Sequence, residues 1–178
     1  MDLANLLGER VSIPQGASAL DITGLTEDSR RVEPGFLFAA FVGSLDDGVK
    51  YIPDACARGA IAILCPPGTR PPEMHPNIAL ITDKNPRRRF ALAAAKFYHA
   101  QPRTAVAVTG TNGKTSVASF VRQIWQRLDV RAASIGTLGI MTEHETRVLG
   151  HTTPDAVTLH SALGDLAAMG VDAVAIET

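Results

Sequence analysis

The segment Val108-Thr109-Gly110-Thr111-Asn112-Gly113-Lys114-Thr115 constrains the fold of this chain more than any other stretch. An apolar run, residues 105–108, precedes it, and a helical pattern follows in which Val117, Phe120, Val121, Ile124, Trp125 and Leu128 share one face. A strand, a glycine-bearing turn and an amphipathic helix, in that order, are the context of a phosphate-binding loop. Glycines let backbone N–H groups turn inward around a polyphosphate, the helix N-terminus adds partial positive charge, and a lysine reaches the outer phosphates. Lys114 is the candidate phosphate-directed cation and Thr115 the candidate hydroxyl for Mg2+. Gly110, Thr111, Asn112, Gly113 and Ser116 complete the candidate cradle for ATP. The general phosphate-loop pattern has glycine where this chain has Val108, so the loop is a variant form, and its plain alternative is a glycine-rich turn before a helix. Phe120 and Trp125, lying on the apolar face, read as core residues rather than base-stacking platforms.

Ahead of the loop, short apolar runs at residues 36–42, 60–64 and 78–81 have the length of buried strands. Tyr51, Ile52, Ala55 and Cys56 line one face of a helix between the first two, and Gly59 is placed to end it. The proline-dense segment 65–76 reads as an exposed connection, and Pro86 opens an alanine-rich helix running to about residue 99. Beyond the loop come a strand at 132–135, a helix at 154–169, with Thr153 and Pro154 as N-cap and first residue, and a strand at 173–176. His160 falls on the inner face of that helix and reads as packing. Strands alternating with helices imply α/β architecture with largely parallel sheets. Gln101-Pro102-Arg103 divides the chain into an α/β domain, 1–102, and the first part of a parallel-sheet phosphate-loop domain, 103–178, which has only three core strands and reads as incomplete.

Seventeen basic and eighteen acidic residues give a net charge of -1, so no bulk field favours nucleic acid or an anionic membrane. No apolar run approaches the ~20 residues of a membrane span. Cys56 and Cys65 lack metal-ligand spacing and read as buried free thiols of a cytoplasmic protein.

The form TGTNGKT, with its departure at Val108, resembles the ATP loop of the Mur ligases and their folylpolyglutamate synthetase relatives. Asp28-Ser29-Arg30, Pro34-Gly35, Leu37-Phe38-Ala39, Gly43, Asp47-Gly48, Tyr51-Ile52 and Gly59-Ala60 are similar to the amino-terminal domain shared by the MurE and MurF branches. Gly136-Thr137 and His151-Thr152-Thr153-Pro154 look more like MurE. That resemblance implies an ATP- and Mg2+-dependent ligase of peptidoglycan synthesis. Its reaction joins a diamino acid, meso-diaminopimelate or L-lysine, to UDP-N-acetylmuramoyl-L-alanyl-D-glutamate through an acyl phosphate.

The same resemblance implies site roles. Glu177 matches the family's Mg2+-binding glutamate beside Thr115, and Lys114 with Glu177 forms the catalytic pair. Ser29, Arg30, Ser44, Leu45 and Asp46 match positions around the UDP moiety, and His151, Thr152 and Thr153 match positions near the muramoyl part. A solvated strand-end glutamate and a simple helix start are the plainer readings of Glu177 and Thr153. Three other functions stay open: a MurF-type ligase, a nucleotide-binding module that makes no bond, and a small phosphate-loop kinase. The kinase requires a basic acceptor cluster downstream of Lys114, which Arg122, Arg127, Arg131 and Arg147 do not form in sequence.

Overall fold

A computed structural model of the chain describes residues 1–8, 11–43, 47–70, 77–148 and 154–178. They divide into two compact units, Met1–Phe97 and Tyr98–Thr178.

In the first unit, β1 (Gly24–Thr26), β2 (Phe36–Ala39), β3 (Ala62–Cys65) and β4 (Ala79–Thr82) form an all-parallel sheet in sequential order. Leu37 pairs with Ala62 and Ile63 with Leu80. Parallel strands covered on both faces need continuous apolar runs rather than alternation. β3 supplies one, with Ala62, Ile63, Leu64 and Cys65 all buried. Three helices accompany the sheet: α1 (Leu3–Leu7), α2 (Ile52–Ala57) and α3 (Pro86–Tyr98). Ile52 and Ala55 of α2 meet Phe38, Ala40, Ile63 and Cys65 in one core. Both cysteines are free, Cys65 buried and Cys56 half-buried, and burial raises both thiol pKa values. The first expected strand stops at Ala39, three residues early. β1 and α1 are elements that the periodicity did not show.

An ion pair fastens the start of α3. Asp83 accepts from the Asn85 N–H at 2.7 Å and from Arg89 Nε at 2.8 Å, while Arg89 Nη1 donates to the Leu7 carbonyl at 3.1 Å. The backbone donor at Asn85, followed by Arg89, holds the Asp83 carboxyl below its ordinary range. Asp83→Asn should therefore destabilise this unit by about 1–3 kcal/mol at neutral pH. A carboxylate with a lowered folded pKa contributes stability above its unfolded value, near ~4, and loses that contribution as the pH falls through the folded value. The gap between wild type and variant in urea unfolding should close on acidification; a gap independent of pH counts against the ion pair.

In the second unit the strand order is β5 (Thr104–Val108), β9 (Ala173–Glu177), β6 (Ala132–Gly136), β7 (Gly139–Met141), β8 (Thr146–Arg147). The first three are parallel, and β9 lies between β5 and β6. β7 and β8 add an antiparallel ribbon that makes this sheet mixed rather than purely parallel. Helix α5 (Ala156–Ala168) buries Ala162, Leu163 and Leu166 against Ala133, Ile135, Ile140 and Val174. It begins two residues later than expected. Asp155 is its cap, accepting from the Thr158 N–H and hydroxyl, each at 2.8 Å; Thr153 lies outside the described residues. His160 is half-buried, and desolvation lowers its pKa.

Helix α4 (Lys114–Arg127) corrects the expected core face. Ala118 and Arg122 are the residues it buries, whereas Val117, Phe120, Ile124 and Leu128 are 48%, 60%, 59% and 67% exposed. Periodicity locates an apolar stripe but not what covers it. The small Ala118 lets the helix lie close to the sheet, and Phe120 is not core; Trp125 is half-buried. Among the described residues no helix is long and apolar enough to cross a membrane.

Candidate functional site

Phosphate-loop chemistry begins with backbone geometry. Val108 ends β5, and α4 starts at Lys114, with Gly113 before it in the left-handed region at φ 78°. That conformation suits glycine because a Cβ is disfavoured there. No side chain caps this end of α4, so its first backbone N–H groups have no intrahelical acceptor and face the loop with the positive end of the helix dipole. Thr111, Asn112 and Gly113 are exposed beside them, and Lys114 Nζ donates to the Gly110 carbonyl at 2.7 Å.

The carboxyl ends of β5, β9 and β6 bring a carboxylate to this loop. Glu177, the last residue of β9, pairs in register with Val108 and is only 5% exposed. Its Oε2 accepts from the Thr115 hydroxyl at 3.0 Å and from the Thr137 hydroxyl at 3.1 Å. The Thr178 N–H donates to the Val108 carbonyl at 2.9 Å and ties the strand end to the start of the loop. Carboxyl ends of parallel strands are where ligands bind in open α/β sheets. Of the residues singled out in sequence, the structure brings together Gly110 to Ser116 and Glu177. Thr137 was quoted there only as part of a likeness. Its signal is a hydroxyl one residue past a buried strand that ends in glycine.

The donor set can be tested for Mg2+. Mg2+ takes oxygen ligands and is commonly held by one or two protein groups together with substrate phosphates. Thr115 and Glu177 supply a hydroxyl and a carboxylate in contact at the helix start. No group of three His, Cys, Asp or Glu side chains able to hold a metal occurs among the described residues. The residues present thus fit an ion shared with a nucleotide.

In the first unit, Asp28 caps a 3-10 turn, Ser29–Arg31, by accepting from the Arg30 N–H at 3.0 Å. The Arg30 guanidinium grips the same carboxylate through Nε at 2.9 Å and Nη2 at 2.7 Å, and its hydrogen bond is the main cause of a lowered Asp28 pKa. The Arg30 side chain remains 82% exposed. Ser29 is buried, and its hydroxyl is hydrogen-bonded to Asp54, whose pKa is lowered chiefly by that bond. Ser44, Leu45, Asp46, His151, Thr152 and Thr153 lie outside the described residues.

Residues 108–178 match the model of the Mur ligase middle domain, a stretch that starts at the last residue of β5 and contains the loop and Glu177. Over that stretch the chain is similar to the Mur ligase family. It is 46% identical to the UDP-N-acetylmuramoyl-L-alanyl-D-glutamate–2,6-diaminopimelate ligase of Bradyrhizobium diazoefficiens, over 99% of this chain and 36% of that protein. The ligase of the same name from Rhizobium meliloti is 50% identical, over 90% of this chain and 32% of that protein. A solved structure of a ligase of that name superposes on all of this chain with a TM-score of 0.82 at 25% identity, over 36% of its own length. The chain spans about a third of the length of the curated relatives it matches.

Proposed function

We propose that this chain is the amino-terminal third of a MurE-type enzyme, an ATP-dependent ligase of peptidoglycan synthesis. It adds a diamino acid to the D-glutamyl carboxylate of UDP-N-acetylmuramoyl-L-alanyl-D-glutamate, and works in the cytoplasm, where ATP and the nucleotide-linked precursor are available. The relatives' shared name favours 2,6-diaminopimelate over lysine as the amino acid. In this reading residues 1–102 hold the UDP-sugar and residues 103–178 begin the ATP-binding domain.

One observation carries the reading: the Thr115 hydroxyl at the head of α4 donates to the buried Glu177 carboxylate at the end of β9. When bound, ATP and Mg2+ supply the phosphoryl group that activates the acceptor carboxylate and the charge that neutralises the phosphates. Backbone N–H groups from Gly110 to Gly113 and the start of α4 cradle the phosphates, and Lys114 adds a point charge. Thr115 could turn a lone pair to the metal while its O–H still donates to Glu177. Arg30, exposed and held in place by Asp28, suits a uridine diphosphate oxygen, and Ser29 fixes its turn through Asp54. Ser44, Leu45 and Asp46 belong to the same proposed UDP site, and His151, Thr152 and Thr153 to the proposed muramoyl contacts.

The test is Glu177→Gln in a ligase of the relatives' full length that carries this chain. Tripeptide formation, followed by mass spectrometry, should fall by about 10²–10³-fold, the range for removing one preorganised charge-stabilising group. Affinity for the UDP-linked dipeptide in calorimetry should stay unchanged. A rate within twofold of wild type would overturn the reading.

A further inference from the structure

We infer that Gly136 and Thr137, at the end of β6, position the Glu177 carboxylate for a metal ion: Thr137 fixes its Oε2, and Gly136 leaves the room in which its Oε1 lies. This rests on the reading of Glu177 as a Mg2+-directed group. The two carboxylate oxygens have different surroundings. Both hydroxyls, from Thr115 and Thr137, converge on Oε2. Oε1 lies over the Cα of Gly136: a Cβ built there would stand 2.1 Å from Oε1 and 2.2 Å from Cδ. These separations are far below any non-bonded contact, and the obstacle is the carboxylate itself. A side chain at position 136 thus has to expel the group or turn it. Glycine is needed here for room, whatever its backbone angles.

Neighbouring strands explain why the room lies at this point. β6 and β9 run parallel, with Ile135 opposite Ile176, so the end of β6 lies alongside the end of β9. Gly136 clears the path of the Glu177 side chain, and Thr137 places a hydroxyl against its far oxygen. A carboxylate buried to 5% exposure gains from two donors on one oxygen, because charge-assisted hydrogen bonds offset the lost hydration and fix its rotation. Thr115 has to serve both the carboxylate and the metal; Thr137 serves only the carboxylate. Thr137 is accordingly a positioning residue whose hold on Glu177 does not depend on the ion.

The experiment uses the full-length ligase carrying this chain, with Mn2+ and ATP as probes and no amino acid. Mn2+ binding to the ATP complex is read by electron paramagnetic resonance, alongside ATP affinity in the absence of metal. Thr137→Val should raise the half-saturating Mn2+ concentration about tenfold, the scale of one hydrogen bond to a charged group, and leave metal-free ATP affinity unchanged. Thr137→Ser, which keeps the hydroxyl, should restore wild-type binding. Gly136→Ala should shift the titration further than Thr137→Val. In a Glu177→Gln background, Thr137→Val should add no further shift, which a merely structural role for Thr137 would not produce. If Gly136→Ala fails to fold, the Thr137 pair decides. A Mn2+ titration that Glu177→Gln leaves unmoved overturns the reading of Glu177 and this inference with it. A shift for Glu177→Gln with none for Thr137→Val overturns the positioning role alone.

Discussion

A polypeptide of these 178 residues alone will form no amide bond between UDP-N-acetylmuramoyl-L-alanyl-D-glutamate and 2,6-diaminopimelate above background. The chain spans about a third of the length of its relatives. Val117, Phe120, Ile124 and Leu128 of α4 lie in the open, and Thr104 to Ala107 of β5, an edge strand, are exposed as well. Acyl phosphate formation and aminolysis need three reactants held in register in a water-poor site. Effective molarities of about 10⁵–10⁸ M measure what such positioning contributes, and a loop with one carboxylate cannot supply it. Mass spectrometry of a reaction with ATP, Mg2+, the UDP-linked dipeptide and 2,6-diaminopimelate should find no tripeptide; repeated turnover would show that these 178 residues suffice.

In a ligase of the relatives' full length that carries this chain, Lys114→Ala should lower kcat/KM by at least about 10³-fold and weaken ATP binding. Lys114 is the cation at the head of α4, and its ammonium already reaches back over the loop to the Gly110 carbonyl. A charge aimed at a transferring phosphoryl group acts mainly in the transition state, so its loss appears in kcat more than in binding. The neighbouring N–H groups are untouched and should keep part of the ground-state affinity. Steady-state rates with calorimetric ATP titration check both halves. Wild-type values in both would remove the loop from the proposed chemistry.

Local patterns were the legible part of this fold. The strand–loop–helix order around Gly110 to Thr115, the apolar runs of β3 and β4 and the proline opening α3 each depend on neighbours a few residues away. Glu177 was singled out through likeness to a family, because its partners Thr115 and Thr137 are 62 and 40 positions distant. Nothing in spacing reveals such a contact. β1 is three residues long and β8 two, too short for any period to emerge. The inverted face of α4 has a different cause: periodicity marks an apolar stripe, and here the helix rests on the sheet through Ala118 and Arg122 instead. The cap of α5 was misjudged because Thr153-Pro154 and Asp155 both offer good starts, and the structure uses Asp155.

The strand order of the second unit also has a consequence in time. β5 and α4 are synthesised early, yet β5 hydrogen-bonds to β9, the last strand described, and not to β6. A growing polypeptide therefore carries the loop for some sixty residues before it owns the strand that braces it, since Thr115 and Glu177 are 62 positions apart. Until β9 is present, β5 and β6 have no strand to join them, and the two hydroxyls have no carboxylate to meet. The same strand that joins β5 to β6 brings Glu177 to the site. Nucleotide retention by nascent chains of increasing length would mark the moment at which this unit finishes folding.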